Sequence, residues 1–258
     1  IFLQRRARAY QAYYEHMPLR PRSIPSGPNL RLYRTASYGQ LIDFNVLDTR
    51  QYRSDQPNGD GRKPINNAVL NPDTSLLGKQ QEEWLFEGLV ASETVWNVLA
   101  QQVMMARVDR EPGPRALYSM DQWSGYEAAR NRLLHFLDSR DVTNPIILTG
   151  DIHSNWVNDL KVNFSDSNAP TVATEFVGTS ISSGGNGTQT RPDTDVMLSE
   201  NPFVKFFNSE RGYVCCHVTP EEWKSDYQVV EYVDRRGAPL VTRASFVVES
   251  GIAGAERL

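Results

Sequence analysis

The run PIILTGDIHSNW, residues Pro145 to Trp156, decides how the rest of the chain is read. Pro145 to Thr149 is apolar with no polar face, as expected of a strand inside a sheet covered on both sides. The strand ends at Thr149, and Gly150 permits a tight turn. Asp151 and His153 are two residues apart. On an extended backbone they would point the same way. A carboxylate and an imidazole on one side of a strand end suit a hard or borderline metal ion. Asn155 continues that face. An ordinary strand-to-loop turn with a hydrogen-bonded histidine is equally compatible with these residues.

Towards the N-terminus, Leu30 to Ser37 and Gln40 to Asp48 read as strands joined at Tyr38-Gly39. The second runs into LDTRQYR, Leu47 to Arg53. Apolar strands that end in charged residues are typical of central strands whose C-terminal edge carries a site. Arg50 can offer its planar fork to a phosphate, with Asp48 to orient it; a surface ion pair is the plainer alternative. Asp55 to Thr74 reads as a long loop. Leu77 to Ala91 has Leu77, Trp84, Leu85 and Leu89 at helical spacing, and Val95 to Val103 reads as a strand. Pro112 to Tyr126 is irregular. Within it, MDQWSGY places Asp121 just before a helix, as a metal or supporting ligand or as a cap. That helix, Tyr126 to Ser139, sets Ala129, Leu133, Leu134 and Leu137 on one face.

The C-terminal third reads as strands: Trp156 to Phe164, Thr171 to Val177, Tyr213 to Thr219, Tyr227 to Asp234 and Val241 to Glu249. TEFVGTSISSGG, Thr174 to Gly185, is either a backbone cradle for an anion or, the favoured reading, a flexible turn. Helices alternating with strands, then a run of strands, fit two sheets flanked by helices in one domain spanning 1–258.

Composition narrows the function classes. The 258 residues are 40% hydrophobic and 10% aromatic, enough for a sizeable core. A net charge of -4 argues against a broad nucleic-acid surface. No apolar run approaches the roughly 20 residues of a membrane span, and no signal-peptide pattern follows Arg5, Arg6 and Arg8. Cys215 and Cys216 are adjacent, a spacing that strains a mutual disulfide. They are read as alternate faces of a strand with one thiol in the core, a soft-metal role being the other option. Ile1 to His16 reads as a helix without a capping residue, stopped by Pro18, Pro21 and Pro25, as expected of a fragment that begins mid-helix.

Taken in order, RRARAYQAYYEHMPLR (Arg5 to Arg20), LDTRQYR, LLGKQQEEWL, WNVLAQQVMM, DQWSGY, GDIHSNW, TEFVGTSISSGG and ERGYV resemble the PhoD family of phosphomonoesterases and phosphodiesterases. The resemblance implies an α/β fold, a four-layered α/β/β/α metallophosphatase-like sandwich, here incomplete at the N-terminus. It implies metal-dependent hydrolysis of phosphate esters with iron and calcium as cofactors, and a secreted, periplasmic or cell-surface location. By resemblance, Asp151 and His153 are metal ligands and catalytic, and Arg50 contacts the phosphate ester substrate; Asp121 and Asn155 are further ligand candidates. The family's leading segment carries a Gly-Ser-Cys stretch, a Gly-Asp strand end and a Trp-Asp-Asp-His-Glu stretch. None of these occurs here, so the chain by itself is expected to be weakly active. Cys215 and Cys216 do not match the family's cysteine ligand. Two rival expectations are a non-catalytic remnant that binds phosphate or a partner, and a calcium-binding β-rich module using Asp193 and Asp195.

Overall fold

Met17 ends the first helix because Pro18 follows it. A residue before proline is driven out of the helical region. Met17 accordingly lies at φ -109°, ψ 146°, while its N–H still donates to the Tyr13 carbonyl at 3.0 Å. The computed structural model describes residues 1–111 and 113–258. The backbone divides into two units, Ile1–Arg34 and Thr35–Leu258. The first holds this helix, α1 (Phe2–His16), which buries none of its residues, and a 3-10 turn at Pro21–Ser23. The strand expected from Leu30 begins only at Arg34, although Leu30 and Tyr33 are buried.

In chain order the remaining elements begin with β1 (Arg34–Tyr38), β2 (Ile42–Val46), β3 (Arg62–Lys63), α2 (Lys79–Ala91), β4 (Trp96–Ala100) and β5 (Tyr118–Ser119). There follow α3 (Glu127–Ser139), β6 (Pro145–Thr149), β7 (Asn155–Lys161), β8 (Thr171–Val177), α4 (Thr194–Glu200) and β9 (Val204–Asn208). The chain closes with β10 (Arg211–Val218), β11 (Glu222–Val230), β12 (Leu240–Glu249) and β13 (Glu256–Arg257). A seven-stranded sheet has the order β1-β2-β4-β6-β8-β7-β9, and a four-stranded sheet the order β10-β11-β12-β13. Strands β2, β4, β6 and β8 run parallel, and β7 is antiparallel to both its neighbours. β6 lies at the centre of the larger sheet, as its uninterrupted apolar run requires.

Alternation along the central strands builds two cores. Leu99, Ile147, Leu160 and Val177 pack with Leu85 and Leu89 of α2 and with Leu133, Leu134 and Leu137 of α3. Val98, Ile146, Val157 and Phe176 pack with Trp223, Tyr227, Phe246 and Val248 of the smaller sheet. Each such side chain contributes about 1.5–3 kcal/mol on full burial. The α/β architecture is therefore as expected, and its layers in this unit are helices, large sheet and small sheet.

Several details differ from the sequence reading. β4 stops at Ala100, not Val103, and β11 begins at Glu222, five residues before Tyr227. β9 and α4 were not expected. In NPFVKFFN, Phe206 and Phe207 are both buried, so no alternation marks a strand. The irregular segment expected from Pro112 contains β5 and a 3-10 turn at Trp123–Tyr126; residue 112 itself lies outside the described residues. Cys216 packs against the core between the sheets and Cys215 lies 3.7 Å from His217 Nε2; both thiols are free.

Candidate active site

The loop after β2 is fixed from three directions. Asp48 Oδ1 accepts from the backbone N–H of Arg50 (3.0 Å) and of Gln51 (2.9 Å), which closes the turn. Gln81 of α2 accepts from the Asp48 N–H at 2.8 Å and donates to its carbonyl at 3.0 Å. Gln102 accepts from Thr49 and donates to the Leu47 carbonyl at 2.9 Å. Asp48 therefore orients Arg50 through its backbone, not through its guanidinium as the sequence suggests.

The guanidinium is oriented by Asp121. Arg50 Nη1 lies 3.0 and 2.9 Å from the two Asp121 oxygens. Arg53 Nη1 and Gln56 Nε2 donate to Asp121 Oδ1 at 2.7 and 2.9 Å. Asp121 caps no helix: neither the 3-10 turn nor α3 has a side-chain cap. Burial pushes its carboxyl pKa up, yet the hydrogen bonds and charges of Arg53 and Arg50 hold it below the ordinary value of 3.8. The other side of the fork, Arg50 Nη2, faces Asp151 Oδ1 at 3.8 Å. Arg50 thus bridges two carboxylates 30 residues apart in sequence, at the C-terminal edge of the parallel strands.

A depressed carboxyl pKa contributes stability above the ordinary value that is lost as pH falls through the folded one. Below about pH 4 the grip of Asp121 on Arg50 and Arg53 should therefore weaken. Unfolding by urea at pH 7 and at pH 3.5 measures this. The acid-induced loss should be smaller in Asp121→Asn than in the parent; an equal loss in both would assign acid sensitivity to other carboxylates.

Asp151 and His153 are not on extended backbone. Their φ angles are 68° and 55°, a region that non-glycine residues rarely occupy. The expected same-side placement by strand alternation therefore does not apply; a strained turn presents both exposed side chains. Arg211 holds this turn. Its guanidinium donates to the carbonyls of His153 (2.7 Å), Gly185 (2.7 Å) and Gly184 (3.2 Å), and to Thr179 Oγ1 (3.2 Å). The TSISSGG loop is thereby lashed beside His153. Gly187 must be glycine, since a Cβ would sit 1.9 Å from the Ser209 carbonyl oxygen.

Asn155 turns inward. It is fully buried, donates to Asn208 Oδ1 at 3.1 Å and accepts from the Thr179 N–H at 3.0 Å, so it supports the loops from beneath. The sequence reading also missed Glu175. Its buried carboxylate accepts from the N–H groups of Met105 (2.7 Å) and Ala106 (3.0 Å), from Thr149 Oγ1 (2.8 Å) and from Asn158 Nδ2 (3.0 Å). Burial raises its pKa despite these donors. Thr149 in turn accepts from Gln101, and Gln101 accepts from Trp123. Glu175 therefore ties β8 to the end of β6, where the Asp151 turn begins. A charged residue inside the apolar strand TVATEFV is the signal that could have found it.

Asp151 and His153 have the right donor types for the metals that the family resemblance implies. They are too few, however: among the described residues, no group of three or more His, Cys, Asp or Glu side chains is placed to hold a metal ion. Asp121 is already engaged by two arginines.

Residues 1–227 match the model of the PhoD-like phosphatase family. Alkaline phosphatase D of Bacillus subtilis (strain 168) is 51% identical over 257 residues, which cover 100% of this chain and 44% of the relative. A solved structure described as "Structure of PhoD" superposes with a TM-score of 0.95 at 51% identity, covering 100% of this chain and 49% of that one. The chain therefore spans less than half the length of the curated relative it matches.

Proposed function

This chain belongs to the PhoD-like phosphatase family, and from that premise we propose that it forms part of a metal-dependent phosphoric ester hydrolase, acting on monoesters, diesters or both. The observation that carries the proposal is the Arg50 fork, held on one side by Asp121 and open on the other towards Asp151. Within a chain of the relatives' length, Asp151 and His153 supply part of a metal centre, completed by donors from outside residues 1–258. The metals supply Lewis acidity and an activated water to such a centre. Arg50 Nη2 contributes a fixed positive group for a phosphoryl oxygen, preorganised by Asp121 and the Asp48 turn. Arg211 and Glu175 keep the Asp151–His153 turn in place.

Calcium and iron remain the metals that the family resemblance favours, and a secreted or periplasmic setting is the matching location. No helix among the described residues is long and apolar enough to cross a membrane. For residues 1–258 alone, the short donor set favours the second reading, a fold that binds phosphate or a partner without turnover. Asp193 and Asp195 lie at the start of α4 and form no such donor group either, so the calcium-module reading gains no support.

Metal analysis of the purified chain, beside a version extended at its N-terminus to the relatives' length, separates these readings. The extended protein should retain stoichiometric metal after gel filtration, and residues 1–258 should retain less than one equivalent. Equal retention by both would place the whole centre within this chain.

A further inference from the structure

Beside the candidate site, Arg62, Arg110 and Arg191 line one small pocket together with Trp156 and Phe207. Among the described residues, none of the three guanidinium groups forms an ion pair or a side-chain hydrogen bond. Arg110 lies over the Trp156 ring at 5.2 Å and Arg191 over the Phe207 ring at 5.0 Å. Aromatic faces position these cations without neutralising them. Arg110 carries the mark of this crowding: burial, and then the charges of Arg62 and Arg191, lower its pKa to about 10. Asp193 lines the same pocket and only partly offsets that charge. Three like charges with a single carboxylate, Asp193, beside them still carry net positive charge, which an anion would offset.

The surroundings say where that anion belongs. Arg62 is in β3, paired with Ser119, two residues from Asp121. Trp156 follows the Asp151–His153 turn and donates its indole N–H to Ser154 Oγ at 2.8 Å. The charge of Arg191 reaches Arg211, which holds the His153 carbonyl. The pocket therefore draws its lining from segments that adjoin both loops of the candidate site. Forked donors in a half-enclosed setting suit a phosphate better than a single carboxylate.

We propose that Arg62, Arg110 and Arg191 bind a phosphate group of the substrate other than the one hydrolysed, so that the preferred substrates carry at least two phosphates. The pocket's affinity for phosphate stands on these residues alone; its assignment to the substrate rests on the phosphoesterase reading.

The test begins with calorimetric binding of inorganic pyrophosphate to residues 1–258 in the presence of a chelator. Arg110→Gln should weaken binding at least tenfold. Arg110→Lys should recover only part of it, because a point charge replaces a fork. Arg191→Gln, on the exposed rim, should weaken it several-fold and keeps the test valid should Arg110→Gln fail to fold. In the extended enzyme, Arg110→Gln should raise KM about tenfold for an ester carrying a second phosphate and leave KM for a simple monoester and kcat unchanged. Pyrophosphate binding that is unaffected by both Arg110→Gln and Arg191→Gln overturns the proposal. So does a rise in KM that is equal for both substrates, which would mean a general electrostatic effect. Arginine-dependent binding by a protein that hydrolyses neither ester would leave the anion site standing and sink the phosphoesterase reading alone.

Discussion

In a chain of the relatives' full length, Asp151→Asn and His153→Asn should each lower kcat for a simple phosphate ester about 10³-fold, equivalent to roughly 4 kcal/mol of transition-state stabilisation. Asparagine is the informative replacement. Both positions have positive φ, at 68° and 55°, and asparagine tolerates that region where alanine would be strained. The turn itself is held through the His153 carbonyl, which His153→Asn retains. The fold should therefore survive, with unfolding free energy within about 0.5 kcal/mol of the parent. Turnover within tenfold of the parent in either variant would remove that residue from the metal centre.

The largest effect on stability is expected at Glu175. Glu175→Ala leaves the Met105 and Ala106 N–H groups and the Asn158 amide without their acceptor in the interior. A buried donor left unsatisfied costs about 1–3 kcal/mol. Thr149 can rotate its hydroxyl, so the sum should fall near 3–5 kcal/mol, within reach of urea unfolding. Glu175→Gln keeps one acceptor oxygen and turns an amide towards donors, so it should lie between the parent and Glu175→Ala. A loss below 1 kcal/mol for Glu175→Ala would show that the network is replaced by water.

The extent to which the sequence disclosed this molecule follows from the range of each signal. β6, α2 and α3 were legible because burial is written into neighbouring residues: PIILT has no polar face, and Leu133, Leu134 and Leu137 recur on one side of a helix. β9 was not, because its two adjacent phenylalanines are buried on opposite faces, in different cores. Asp151 and Arg50 could be singled out at strand ends, and the structure places them 3.8 Å apart. Their pairings with supporting residues could not. Asp121 and Arg53 meet across 68 residues, and Arg211 reaches His153 across 58. No local spacing encodes such pairs. The inward turn of Asn155 was hidden for the same reason, since its partners Asn208 and Thr179 lie on other elements. The backbone reversal at Asp151 and His153 defeated the alternation argument, because positive φ in a non-glycine residue is set by the tertiary frame.

The central claim is that these residues form part of a hydrolytic centre completed by chain beyond residues 1–258. Phosphate release from a simple ester tests it most directly, with calcium and iron supplied to residues 1–258 and to the extended protein at equal concentration. The account predicts release by the extended protein, its near-abolition by His153→Asn, and background rates for residues 1–258. Full turnover by residues 1–258 alone would contradict it, because the chain would then hold a complete site.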